Sequence, residues 1–169
     1  LVFTSANWNS AQLVTVTGVN DNLDDGDVAF SIITAAATSS DAKYSGLNAA
    51  NVSVTNTDDD SAGITVSTIS GSTTEAGGTA TFTVVLKSAP SADVTIDVTS
   101  EKVAEATVDK AKLTFTAANW NMPQTVTVTG VDDEVDDGDV DFKVNFAINS
   151  ADAGYKALSL APIALKNMD

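Results

Sequence analysis

The chain has no cysteine, no histidine and no arginine among its 169 residues. Without histidine or cysteine there is no imidazole base, no thiol nucleophile and no Ser-His-Asp triad. A zinc site built from His and Cys is excluded as well. No disulfide can brace the fold, as disulfides do in many small secreted domains. The only side-chain cations are 8 lysines, set against 23 acidic residues, for a net charge of −15. Nucleic acid binding needs clustered cations, so it is not an expected partner. No apolar run approaches the ~20 residues of a membrane helix, and membrane insertion is not expected. Proline is scarce, at 3 residues, and aromatics make up 6 %. There is no initiator Met or leader-like segment, and Leu1 begins in mid-pattern, as expected of a piece of a longer protein.

What the sequence does contain is a long internal repeat. LVFTSANWNSAQLVTVTGVNDNLDDGDVAFSI from Leu1 aligns without a gap to LTFTAANWNMPQTVTVTGVDDEVDDGDVDFKV from Leu113, with 21 identities in 32 positions. Further on, Tyr44 matches Tyr155 and Asp58 matches Asp169. The repeat is therefore about 111 residues. That is too long for a solenoid unit and suits a sandwich of ~100 residues. Residues 1–60 then form the C-terminal half of one domain, and residues 61–169 a nearly complete second.

Alternation points to strands. Phe82, Val84 and Leu86 alternate with Thr81, Thr83 and Val85. Val94, Ile96 and Val98, then Val126 and Val128, then Phe142, Val144, Phe146 and Ile148 repeat the pattern. A period of two directs one set to a core and the other to water. Thr-rich outer faces and turn clusters such as Gly77-Gly78 and Asp137-Gly138 complete an all-β reading. No long helix is expected; the short Ala/Ser/Asp stretches 36–43 and 150–154 are read as a loop or one helical turn. Trp8 and Trp120, in the repeated Ala-Asn-Trp-Asn, are read as closing one end of a core. Exposed, they would favour a carbohydrate- or ligand-binding adhesion module instead.

Acidic residues cluster at strand ends. One cluster runs from Asn20 through Asp21, Asp24 and Asp25 to Asp27, and its repeat runs from Asp132 through Asp133, Asp136 and Asp137 to Asp139. A third is Asp58-Asp59-Asp60. Carboxylates this close repel unless a cation sits among them. Calcium, with 6–8 oxygen ligands, suits them better than magnesium, which prefers few carboxylates and keeps its waters. An EF-hand is excluded, because a loop begun at Asp133 or Asp21 puts apolar residues at its third and twelfth positions. A carboxylate-pair hydrolase needs two acids facing a cleft. The sequence offers acids at turns, so a non-catalytic role is expected.

These motifs together resemble the Calx-β domain, known as a calcium sensor in sodium–calcium exchangers and as tandem repeats in large bacterial extracellular proteins. Thr73-Thr74-Glu75-Ala76-Gly77-Gly78 ahead of a strand is similar to that family's early acidic turn. Val128-Thr129-Gly130-Val131-Asp132-Asp133 followed by Asp137 is similar to its strand-end motif. Asp58-Asp59-Asp60-Ser61-Ala62-Gly63-Ile64 resembles its interdomain linker. The family's Asp-Tyr segment is missing, and Glu105 stands in its place. The resemblance implies tandem Ig-like antiparallel sandwiches with Ca2+ at each domain end. The ligands it implies are Glu75, Glu105, Asp132, Asp133, Asp137 and Asp169 in the second domain. In the first they are Asn20, Asp21, Asp25, Asp58, Asp59 and Asp60. Asp24, Asp27, Asp136 and Asp139 are expected as solvated turn residues, with Gly26 and Gly138 relieving backbone strain. The implied function is a calcium-rigidified repeat of a surface protein, whether adhesin, surface layer or filament. Its partners would be neighbouring repeats, or identical subunits that complete the half-domain by strand donation.

Overall fold

A computed structural model describes residues 1–132 and 138–169. They divide into two units, Leu1–Asp21 with Gly26–Asp58, and Asn22–Asp25 with Asp59–Asp169. The described residues are all-β apart from one short helix.

In the first unit β1 (Val28–Ile32) and β2 (Val52–Asn56) pair antiparallel, from Val28↔Asn56 to Ile32↔Val52. The turn at 4–10 is organised by side chains. Asn7 Oδ1 accepts from Thr4 N–H at 2.5 Å, and Thr4 Oγ1 accepts from Ala6 N–H at 3.3 Å. Gln12 Nε2 donates back to Val2 O at 2.6 Å.

The second unit builds two sheets around one core. Its strands are β3 (Ile64–Val66), β4 (Thr73–Thr74), β5 (Thr79–Leu86), β6 (Val94–Ser100) and β7 (Ala106–Val108). They continue as β8 (Lys112–Phe115), β9 (Gln124–Gly130), β10 (Val140–Ser150) and β11 (Ile163–Met168). One sheet runs β4-β11-β10-β6-β8 and the other β3-β5-β9-β7. Alternation fixes which side chains go inside. Phe82, Val84 and Leu86 of β5 are buried, as are Val94, Ile96 and Val98 of β6 and Val126 and Val128 of β9. Phe82 packs edge-on against Phe146, with ring centroids 5.7 Å apart. Toward its far end β10 leaves the core, so Phe146 and Ile148 are only partly buried.

The helix α1 (Ala153–Lys156) is one turn that overlaps the end of the 150–154 stretch, and the 36–43 stretch forms no helix, each within the expectation of a loop or one helical turn. Asp152 caps α1, its Oδ1 accepting from Gly154 N–H at 2.9 Å and Tyr155 N–H at 3.2 Å. Its Oδ2 accepts from Ser91 N–H at 2.8 Å and Ser91 Oγ–H at 2.7 Å. The cap thereby sets Tyr155, whose buried hydroxyl donates to Ser88 O at 2.7 Å and accepts from Ser88 N–H at 3.2 Å. Burial pushes the Asp152 carboxyl up, but these hydrogen bonds outweigh it and hold the group below its ordinary 3.8. A depressed folded-state value means stability that is present above pH ~3.8 and lost as pH falls through the folded value. Asp152→Ala is expected to cost about 1–3 kcal/mol at pH 7. Denaturant unfolding should show that gap to the parent closing below pH ~3.8.

The two copies of the repeated segment share their local bonding. Asn119 Oδ1 accepts from Thr116 N–H at 2.6 Å, and Gln124 Nε2 donates to Thr114 O at 2.8 Å, as Asn7 and Gln12 do in the first copy. The pairing of β10 with β11, from Val140↔Asn167 to Val144↔Ile163, matches that of β1 with β2 residue for residue. Asn56 Nδ2 donates to Val19 O at 3.1 Å, and Asn167 Nδ2 to Val131 O at 3.3 Å. Gly26 and Gly138 both have positive φ, 80° and 72°, a turn conformation that glycine adopts without the strain a Cβ would add.

Candidate metal site at the strand ends

The topology of the second unit carries acidic residues from four strands to one end. Strand β4 runs parallel to β11 with Met168↔Thr74, and Glu75 N–H donates to Met168 O at 2.9 Å. Glu75 therefore stands beside Asp169. In the other sheet Ala106↔Gly130 is the last pair of β7 with β9, and Val131 N–H donates to Glu105 O at 2.9 Å. Glu105 therefore stands beside Val131 and Asp132. The two sheets are tied together here. Gly130 N–H donates to Gly78 O at 3.0 Å, and a Cβ on Gly130 would collide with Thr74 O and Asn167 Oδ1.

Asn167 is the peg of this end and was not singled out by its sequence. It is 1 % exposed, accepts from Thr73 Oγ1–H at 2.9 Å and donates to Val131 O. The signal was available: Asn56 and Gly18 of the first copy make the same close approach.

Glu105 is the least ordinary of these acids, because it is 8 % exposed. Among the described residues no hydrogen bond or ion pair to its carboxylate is present. Among the described residues no buried side-chain oxygen lacks a partner, so the Glu105 carboxylate keeps contact with solvent. Asp169 Oδ2 accepts from Gly138 N–H at 3.2 Å, which draws the start of the β10 segment to the end of β11. Asp133 and Asp137 lie outside the described residues, as does Asp136.

For the first set, Asp58 closes the first unit, and Asp59 and Asp60 belong to the second. Asp58 Oδ2 accepts from Gly26 N–H at 2.7 Å, the counterpart of the bond from Gly138 to Asp169. Asn20, Asp21 and Asp25 are exposed. Three residues expected to be merely solvated have structural partners. Asp24 Oδ2 accepts from Ala62 N–H at 2.7 Å, and Asp27 Oδ1 from Asp58 N–H at 2.9 Å. Asp139 pairs with Lys166 at 3.3 Å, an exposed ion pair of small energetic weight. Their sequence positions at turns were right, but a short acceptor beside a free backbone N–H is used as a cap. Trp120 packs partly buried against the core, while Trp8 is 70 % exposed.

No family model and no curated protein matches the chain. Three solved structures show weak likeness. SSP-19, an MSP-domain protein like family member of Caenorhabditis elegans, is 13 % identical over 60 % of this chain and 97 % of its own, with a TM-score of 0.39. WR4, a C. elegans MSP family member, is 17 % identical over 62 % of this chain and 95 % of its own, at 0.38. Domains 4 and 5 of the S-layer protein SbsC are 18 % identical over 69 % of this chain and 58 % of their own, at 0.36. At such TM-scores none of them assigns this chain a family or a function. The Calx-β resemblance rests on the sequence motifs.

Among the described residues no helix is long and apolar enough to cross a membrane.

Proposed function

We propose that this chain is a calcium-binding structural repeat of an extracellular surface protein, of Calx-β-like type. In this reading Ca2+ binds where strand ends and linker acids meet, screens their repulsion and stiffens an array of such repeats. Its partners are neighbouring repeats, and its role is mechanical rather than catalytic. The observation that carries the reading is the arrival of Glu75, Glu105, Asp132 and Asp169 from four strand ends at one end of the second unit. Hard oxygen donors from several strands suit a hard cation of high coordination number. Extracellular calcium is millimolar, so a site of ~10⁻⁴–10⁻³ M suffices. A sugar-binding reading based on Trp8 has weaker support, because Trp8 is exposed together with most apolar side chains of its unit.

Titration calorimetry of the full chain tests this. Saturable calcium binding in that range is expected, undiminished by equimolar magnesium and persisting in ~0.5 M KCl, where diffuse attraction to a polyanion is screened. Glu105→Gln should weaken it about tenfold or more, as loss of a ligand charge does at calcium sites. Heat that vanishes in salt would leave only a counter-ion cloud and would overturn the reading.

A further inference from the structure

The segment 64–75 of the second unit runs from one end of the sandwich to the other before it meets β11. Strand β3 begins at Ile64, opposite Leu86 at the end of β5. From there the chain follows β5 backwards. Ser67 N–H donates to Thr83 O at 2.9 Å and Ser70 N–H to Thr81 O at 3.0 Å. The two serine hydroxyls take the partner amides, Ser67 Oγ accepting from Thr83 N–H at 2.9 Å and Ser70 Oγ from Thr81 N–H at 2.8 Å. The ladder thus continues past β3, although 67–70 forms no strand. The chain then crosses to the other sheet, where β4 lies parallel to β11 with Asn167↔Thr73 and Met168↔Thr74. Thr73 Oγ1–H donates to Asn167 Oδ1 at 2.9 Å with both residues buried, and Glu75 N–H closes the seam on Met168 O at 2.9 Å. Ile64 and Met168 therefore stand at opposite ends, roughly 24 Å apart along the strands at ~3.4 Å per residue of β5.

Direction decides how these bonds meet a force. Tension applied ahead of β3, at Ser61, and after β11, at Asp169, draws the 64–75 segment toward one end of the sandwich and β11 toward the other. The parallel strands β4 and β11 are then displaced along their length in opposite senses, so their bonds are loaded together. The same holds for 64–70 sliding along β5. An antiparallel pair loaded at one end instead parts one bond at a time. Strands β10 and β11 offer that contrast, because Asp139 and Asp169 flank the same end of their ladder, at Val140↔Asn167. We propose that the second unit carries tension between Ser61 and Asp169, and that the seam of 64–75 on β5 and β11, with its buried Thr73–Asn167 bond, is the mechanical clamp. An array of such repeats supplies the tension, so the role rests on that reading. The resistance itself is built from backbone and neutral side chains and needs no ion.

Single-molecule pulling of the full chain tests this, and the lack of native cysteine lets the attachment points be chosen. One protein carries Ser61→Cys and a cysteine added after Asp169. The other carries Asp139→Cys and the same added cysteine. All forces are measured in chelator, so a failure of the calcium reading leaves them unaffected. Forced unfolding is governed by the unfolding barrier, and the Ser61 pair should unfold at a force about twofold or more above the Asp139 pair at equal loading rate. Thr73→Val removes the hydroxyl at nearly constant shape and should lower that ratio. Ile96→Val thins the core away from the seam and should leave the ratio as it is. Equal forces in the two directions would overturn the proposal. So would a ratio that Thr73→Val leaves intact, or that Ile96→Val lowers as far. Should Thr73→Val fail to fold, the comparison of the two directions decides alone.

Discussion

Phe115→Ala is expected to destabilise the second unit by about 3–5 kcal/mol, whereas Phe3→Ala should change the stability of the chain by under ~0.5 kcal/mol. The two residues occupy the same place in the repeat, within Leu-x-Phe-Thr followed two residues later by Asn-Trp-Asn. Phe115 has no exposed surface and faces Val94 across the β8–β6 pair. Removing its ring forfeits the transfer free energy of the lost atoms and opens a cavity that the surrounding strands fill only in part. Phe3 is 55 % exposed, so its truncation removes little buried area and leaves no void. Urea unfolding followed by tryptophan fluorescence and circular dichroism would give both values. Similar losses for the two variants would contradict the burial difference on which the account of the first unit rests.

The contrast also shows how far the sequence could be read. Strands β5, β6, β9 and β10 were legible because a period of two, with threonine outside, leaves one way to bury Val and Phe. The core of the second unit follows directly. The same pattern in the first unit is equally strong, yet 1–3 and 12–18 form no strand, because pattern specifies a face and pairing needs a partner edge. The repeat exposed this dependence, since it presents nearly one sequence in two environments.

Polar roles were less legible. The pairings of β4 with β11 and of β7 with β9 carry Glu75, Glu105, Asp132 and Asp169 to one end. Asn167, Asp24 and Asp152 were missed, because a short polar side chain acquires its role from whichever backbone group the fold brings within ~3 Å. Nothing in Asp24 or its neighbours announces Ala62 N–H, which lies 38 residues away. Asn167 could have been found. An uncharged residue kept in both copies at the end of an alternating strand, opposite a repeated Gly, points to a buried close contact.

Calcium is expected to produce the second large effect. A ligand that binds the folded state and not the unfolded one stabilises by mass action, by about 1.4 kcal/mol at ten times its Kd and about 2.7 kcal/mol at a hundred times. For a unit of this size that is a rise in melting temperature of roughly 5–15 °C. Much of that gain is expected from relieving repulsion among these acids. The acids of the second unit converge with Glu105 nearly buried, and the whole chain has a net charge of −15. Asp132→Ala combined with Asp133→Ala should abolish most of the calcium-dependent rise.

Thermal unfolding of the full chain in ~5 mM calcium and then in chelator tests the central claim most directly. The account predicts a reversible, saturable rise of at least about 5 °C that magnesium does not reproduce and that the Asp132 and Asp133 double variant loses. Identical melting in calcium and chelator, or an equal rise with magnesium, would contradict it.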